Sequence, residues 1–450
     1  MKRIFLVVTC IGALFLSGCG GDSKLPTKTG KGAIRTINAI PDSPAVVFLI
    51  EERPLGTVKY KDSTGPERYD DLDYSFNFDI RYPGDTTNTR VATQAHKVER
   101  DRDHIFVLTG DINAPTITVW NGDIREFDAA ETVFEARFSH ASVSLDDVDI
   151  DIYVDEPGVV LGTNPPVATL SYGEISDAAD FEEGPYVITV TTAGDLLTVH
   201  YTSFETSLLP RFAHVFTVFD GDGNDTAPFT VRTMTSVGNP LLMPDARHPP
   251  ETRFIHAAHT LETVDVYDDE LLTNLIAENL EFKAATQDLE ASQVDTVYYF
   301  TPADSQATIL FDRVTGAQNP GTRAHIYLIG ATDAWSGKRL VPDRAASSIS
   351  ARLRIFSGSR SYSPFDVYVK DRGEPLTDDD GPILPATYSF YSPIAELQAG
   401  SYDIHLTIPS TKTEISAPYP IDVSLGDIVD LIAVDTVDPA VIELIDVPVL

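Results

Sequence analysis

Residues 136 to 142 read "ARFSHAS" and residues 252 to 258 read "TRFIHAA", so His140 and His256 each follow an Arg-Phe pair and precede an alanine. Imidazole is the side chain whose ordinary pKa lies nearest neutrality, which makes a recurring histidine the first candidate for proton chemistry. The motif returns in weaker form as "IRTINAI" and "LRIFSGS", and aligning the arginines sets Asn38, His140, His256 and Ser357 at one position. Asn and Ser cannot shuttle a proton near pH 7. What the four share is a hydrogen-bonding side chain next to a small residue. That predicts a hydrogen bond on an opening strand, made across its edge, and no common reaction.

The loop "DGDGND" spaces Asp220, Asp222 and Asn224 like the first ligands of an EF-hand. Position 12 of such a loop would be Val231, where a bidentate Glu is needed. The matching stretches "TGDINAP", "GATDAWS" and "VDTVDPA" mark the slot as a hairpin turn. Calcium, the one cofactor to be considered, is therefore expected to act diffusely. Trp120 and Trp335, near last-strand hairpins, are candidates for an aromatic sugar platform, although burial at module joins is the favoured expectation for both. A Gly-x-Ser-x-Gly elbow, a His-Glu-x-x-His pair and a phosphate-cradling glycine loop are all missing. No catalytic residue is expected.

These residues sit in a chain that repeats itself. The opening motif leads into "VVFLI", "DIYV", "DVYD" or "DVYV", then into a tyrosine-led alternating segment. A third landmark follows at His104, His214, His325 and Asp427. The order holds four times and divides the chain into modules at 33–133, 134–248, 249–347 and 348–450. Within each, Val, Ile, Thr, Tyr and Phe alternate with polar residues in short runs bounded by Gly, Pro, Asp or Asn. The expectation is all-β: four tandem antiparallel β-sandwiches, immunoglobulin-like in the broad sense. Residues 272–282 and a stretch near residue 395 are the best places for short helices.

The motifs also resemble a known family. "RFSHAS" with "VDIDIYVD", "RFIHAA" with "VDVYDD", and "SPFDVYVKD" are similar to the repeats of bacterial envelope proteins in the domain-of-unknown-function family 4397. The first copy, "RTINAIPDSPAVVFLIE", departs from them in lacking the histidine. The resemblance implies a β-sandwich on a surface protein and brings no established activity.

The start of the chain is read separately. Lys2 and Arg3 precede the apolar run "IFLVVTCIGALF", and "LSGC" ends in Cys19. This resembles the signal peptide and lipobox of bacterial lipoproteins: residues 1–18 would be removed and Cys19 lipidated. Gly20 after the cysteine implies the outer membrane, by the same resemblance. Residues 19–32 are expected to form the lipidated tether. Cys10 lies in the discarded segment, so the mature chain would carry a single thiol and no internal disulfide. The net charge is -35, and removing Lys2 and Arg3 makes it -37 (-35 - 2). That excess repels nucleic acid. The partners expected are the membrane, through Cys19, and an envelope protein or glycan. The function expected is non-catalytic binding or structural support in the envelope, with surface carbohydrate handling as the second reading.

Overall fold

The alternating segments form strands. The computed structural model describes residues 30–235, 241–314, 318–330 and 334–447, so Cys19 and the leader before it lie outside the described residues. The first module contains β1 (Lys31–Asn38), β2 (Val46–Ile50), β3 (Arg53–Val58), β4 (Glu67–Asp70), β5 (Asp73–Ile80), β6 (Thr89–Lys97), β7 (Arg102–Asp111) and β8 (Ala114–Asp123). They make two four-stranded sheets, in the orders β4-β1-β7-β8 and β3-β2-β5-β6. The same two orders recur in units whose strands run from Val133 to Met243, Glu251 to Leu340 and Ala351 to Asp446. The second unit adds the short strands Thr206–Leu208 and Leu241–Met243. The protein is thus four β-sandwiches in tandem.

Every sheet pairing is antiparallel except one per module. The opening strand runs parallel to the strand of the third landmark, as β1 does beside β7. A parallel pair needs a long crossover, and here the whole second sheet is that crossover.

Each sandwich closes over its own core. In the first module Phe48, Phe76, Phe78 and Phe106 are fully buried, with the Phe76 and Phe106 rings 4.3 Å apart. β5 alternates as expected, sending Tyr74, Phe76, Phe78 and Ile80 inward. β1 does not alternate: seven of its eight residues are buried. Its second face meets another module. Ile37, Ala39, Ile105, Val107 and Trp120 of the first module pack on Ala141, Val215, Phe219 and Met234 of the second. Ile255, Ala257, Tyr327 and Ile329 of the third pack likewise on Phe356, Ile432 and Val434 of the fourth. The modules therefore stand as two face-to-face pairs. The small residue after each aligned polar position, Ala39, Ala141, Ala257 or Gly358, lies where the paired sheets approach.

Three expectations need correction. Residues 272–282 are not helical: Leu275–Glu281 is an edge strand paired with Thr263–Tyr267, and Leu272 and Asn279 take positive φ. Near residue 395 the chain forms the strand Ala395–Leu397. Apolar spacing that suits one helical turn also suits a short bulged strand, and the neighbouring strand supplies the hydrogen bonds that decide it. The one helical turn among the described residues is the 3₁₀ segment Val143–Leu145.

The third correction concerns the third landmark. His104 and His214 lie beside Ile34 and Ala136 and face their own cores, whereas His325 lies beside Arg253 and faces the neighbouring module. A shift of one residue turns a side chain to the opposite face of a sheet. In the fourth module the residue in register with His325 is Asp430, beside Arg354, and Asp427 is exposed in the preceding turn.

Candidate functional site

Asn38, His140, His256 and Ser357 do occupy one structural position. Each ends its opening strand, faces into its own sandwich and is fully buried. The hydrogen bond made there is local, reaching two residues ahead and not across the strand edge. The Ile40 N–H donates to Asn38 Oδ1 (3.1 Å), the Ser142 N–H to His140 Nδ1 (3.3 Å) and the Ala258 N–H to His256 Nδ1 (3.3 Å). Ser357 departs, since its hydroxyl has no partner among the described residues. With Nδ1 accepting, His140 Nε2 carries the proton and donates to the Leu145 and Val148 carbonyls (3.1 and 3.3 Å). Burial pushes both imidazoles below their ordinary pKa, His256 to about 4. They are neutral braces at neutral pH.

This geometry sets an ordering. His140→Asn keeps an acceptor for the Ser142 N–H and a donor for the 145–148 turn, as Asn38 does with Ser43 Oγ (2.6 Å). It should cost little. His140→Leu strips the partners from both and should cost about 1–3 kcal/mol in denaturant unfolding of the full chain. His256→Leu should cost less than His140→Leu, because His256 Nε2 has no partner to lose. Equal damage from Asn and Leu at residue 140 would mean that the imidazole itself is required.

The structure adds a repeat landmark that sequence reading missed. Backbone N–H groups of Lys61, Gly173, Lys283 and Ser389 donate to the carbonyls of Asn38, His140, His256 and Ser357 (2.7–2.8 Å). All four donors have positive φ, between 64° and 83°. An aromatic precedes each one: Tyr60, Tyr172, Phe282 or Tyr388. Three residues after each lies Thr64, Ser176, Thr286 or Ser392, whose hydroxyl accepts from the opening strand's backbone (2.9–3.1 Å). The pattern aromatic, left-handed residue, two others, Ser/Thr was present in the sequence. It escaped notice because lysine is not a residue that announces a left-handed turn.

The acidic loop is a hairpin connection, and its candidate metal ligands do not converge. The Asp220 carboxylate accepts from the Ser142 and Ser144 hydroxyls and from the backbone of Val143 and Ser144. Asn224 Oδ1 accepts from the Arg344 N–H (2.6 Å). Asp222 and Asp225 hold the ammonium of Lys61, from the first module, with Asp222 at 3.0 Å. The Lys61 side chain is 2 % exposed. A lysine stands where a cation would sit, and the loop is a junction between modules.

Trp120 is not a platform. It is 5 % exposed within the first interface, and its indole N–H donates to the Gly173 carbonyl of the second module (3.0 Å). Trp335 is half-buried on the third core and donates to Thr260 Oγ1 (2.9 Å). A sugar-stacking surface needs an open ring face. Trp120 lacks one because the pairing of modules covers it.

The aligned arginines lie on the paired faces. Arg354 is held by Asp430 (2.6 Å), and Arg253 by Asp288 (3.1 Å). Arg35 pairs with Asp103 and donates to the Thr235 carbonyl across the interface. Arg137 meets Glu135 only at 3.7 Å, too long for a hydrogen bond.

No family model matches the chain, and no curated protein matches it. Among solved structures it is similar to the Bacillus anthracis TIE protein, at 10% identity and a TM-score of 0.15 over 87% of this chain. The match spans just under two thirds of that protein, 66%. It is also similar to the family 41 carbohydrate-binding modules of streptococcal virulence factors, described for alpha-glucan recognition. There the identity is 12% and the TM-score 0.17, over 44% of this chain and 96% of that one. Likenesses this low carry no argument about function.

Proposed function

We propose that the protein is a lipid-anchored envelope component, held at the outer membrane through Cys19, whose paired sandwiches form a non-catalytic binding or structural array. The observation that carries the reading is the run from Lys2 through "LSGC" to Cys19, followed by the polar stretch at 20–32 that leads into the first module. The internal architecture agrees with a non-catalytic role. The polar residues that recur in every module brace the backbone or join module to module. The resemblance to envelope repeats points the same way, and an excess of carboxylates suits a soluble array facing water.

Cys19→Ser tests the anchor. The parent protein should pellet with membranes and resist extraction at high salt, and the variant should appear in the soluble fraction. Among the described residues no helix is long and apolar enough to cross a membrane. Acyl chains on Cys19 are thus the anchor proposed, and stable attachment needs more than one chain. A variant that stays membrane-bound at high salt would overturn the proposal.

A further inference from the structure

The two module pairs are built alike but filled differently. In the third and fourth modules a polar network closes the shared interface. Arg354 lies over the Tyr391 ring at 3.8 Å and is paired with Asp430, its neighbour on the adjacent strand. In the first and second modules the matching neighbours are apolar. Arg137 sits beside Val215 where Arg354 sits beside Asp430. Ile175 takes the place of Tyr391, each bridging the residue that precedes the buried polar position. The result is a cleft of about 620 Å³ between the first two modules, a size typical of small-molecule sites.

Its lining holds groups without partners. Arg35 Nε and Asp103 Oδ1 are buried and make no hydrogen bond among the described residues. Arg35 is itself more than nine-tenths buried. The Arg137 guanidinium lies flat on Gly122, where a Cβ would stand 2.8 Å from Cζ. Four arginines, Arg35, Arg68, Arg125 and Arg137, line this one cleft in a chain with 33 basic and 68 acidic residues. Asp103, Asp123 and Glu135 line it too. Arg35 and Arg125 have close carboxylates of their own, whereas Arg137, beside the apolar Val215, meets Glu135 only at 3.7 Å and is the under-neutralised fork on the paired face of the second module.

We propose that this cleft binds a small organic carboxylate with an apolar body. The carboxylate would accept from Arg137, as the Asp430 carboxylate does from Arg354, in the geometry that a guanidinium favours. The body would lie against Ile105, Ile175 and Val215 in the cleft wall, next to the covered Trp120. This deepens the reading of the chain as a binding array by naming a site and a ligand class.

The chain has two tryptophans, so Trp335→Phe leaves Trp120 as a single indole reporter in the cleft. In that background phenylacetate, phenylacetamide and inorganic phosphate are titrated against the mature chain, with fluorescence and calorimetry as readouts. Phenylacetate should bind at least tenfold more tightly than either of the others and perturb the Trp120 emission. Val215→Asp, which copies the fourth module, should weaken phenylacetate at least tenfold by giving Arg137 an internal counter-ion. Arg137→Gln should weaken it as much, and thermal unfolding of both variants checks that they fold. No binding of phenylacetate at millimolar concentration would overturn the proposal. So would equal binding of the amide or of phosphate, or undiminished binding by folded Arg137→Gln. Membrane fractionation of Cys19→Ser reads the envelope proposal separately, so losing the cleft site leaves that proposal standing.

Discussion

Lys61→Met lowers the stability of the whole chain by about 3–5 kcal/mol, the scale expected when one partner of a buried ion pair is removed. Lys61 crosses from the first module to Asp222 and Asp225 in the second, and its side chain and both carboxylates are largely shielded from water. Without the ammonium the two carboxylates face each other in a medium that screens them poorly. The second consequence is specific. In the parent chain calcium finds the cation position already filled, so its effect is a general relief of self-repulsion that Asp222→Asn leaves unchanged. In Lys61→Met the vacated position should accept calcium, and millimolar calcium should recover a large part of the lost stability. Urea unfolding of the parent and the two variants, with and without calcium, is the measurement. A stoichiometric calcium isotherm in the parent that disappears in Asp222→Asn would show that the lysine does not occupy the site.

Stability should fall as pH is lowered from about 6.5 toward 4. Burial holds His214 and His256 at about 4 in the folded chain, and His140 and His325 are also pushed below the ordinary value, His325 further by the charge of Arg344. The unfolded chain recovers the ordinary imidazole pKa near 6.5. Between the two values the unfolded state binds protons that the folded state refuses. The stabilisation is therefore complete above pH 6.5 and lost as pH drops through the window. His214 and His256 each contribute on the order of 3 kcal/mol to the total change, from the gap between 6.5 and about 4 at 1.36 kcal/mol per unit. Relief of the -35 net charge works the other way, whereas the ion-paired Asp288 and Asp343, held below the ordinary carboxylate value, lose stabilisation only at the acid end of the window. A urea midpoint that falls between pH 6.5 and about 5, above the carboxylate range, is the imidazole signature, and His256→Asn should flatten part of it. A midpoint that stays level or rises from pH 7 to pH 4.5 would sink the argument.

Much of the architecture was legible in the chain itself. Period-two alternation in "YSFNFDI" and "YVITVTT" marks strands because successive strand side chains point to opposite faces, whatever surrounds them. The repeat of landmarks shows four modules because each sandwich needs the same turns and the same buried positions. That Asn38 and Ser357 stand in for His140 and His256 was enough to argue against shared proton chemistry, and the buried strand-end geometry gives the physical cause in three of the four copies.

Tertiary structure decided the rest, and the reason is the same in each case. A sequence specifies what a residue can bond to; only packing specifies which partner arrives. "DGDGND" reads as a hairpin turn with the spacing of a metal loop, but nothing in it announces that Lys61, some 160 residues earlier in the chain, enters it. Trp120 reads as a ring half-buried at a module join or as a platform, and the second module, by covering it, decides for the first. His325 reads as the equal of His104 and His214 until a one-residue change of register turns it to the other face of its sheet. The face-to-face pairing of modules has no local signature beyond an opening strand that is apolar on both sides and a small residue at its end. Long-range contacts between surfaces that are each self-consistent leave no periodicity to read, so the pairing, and the cleft it encloses, belong to the fold alone.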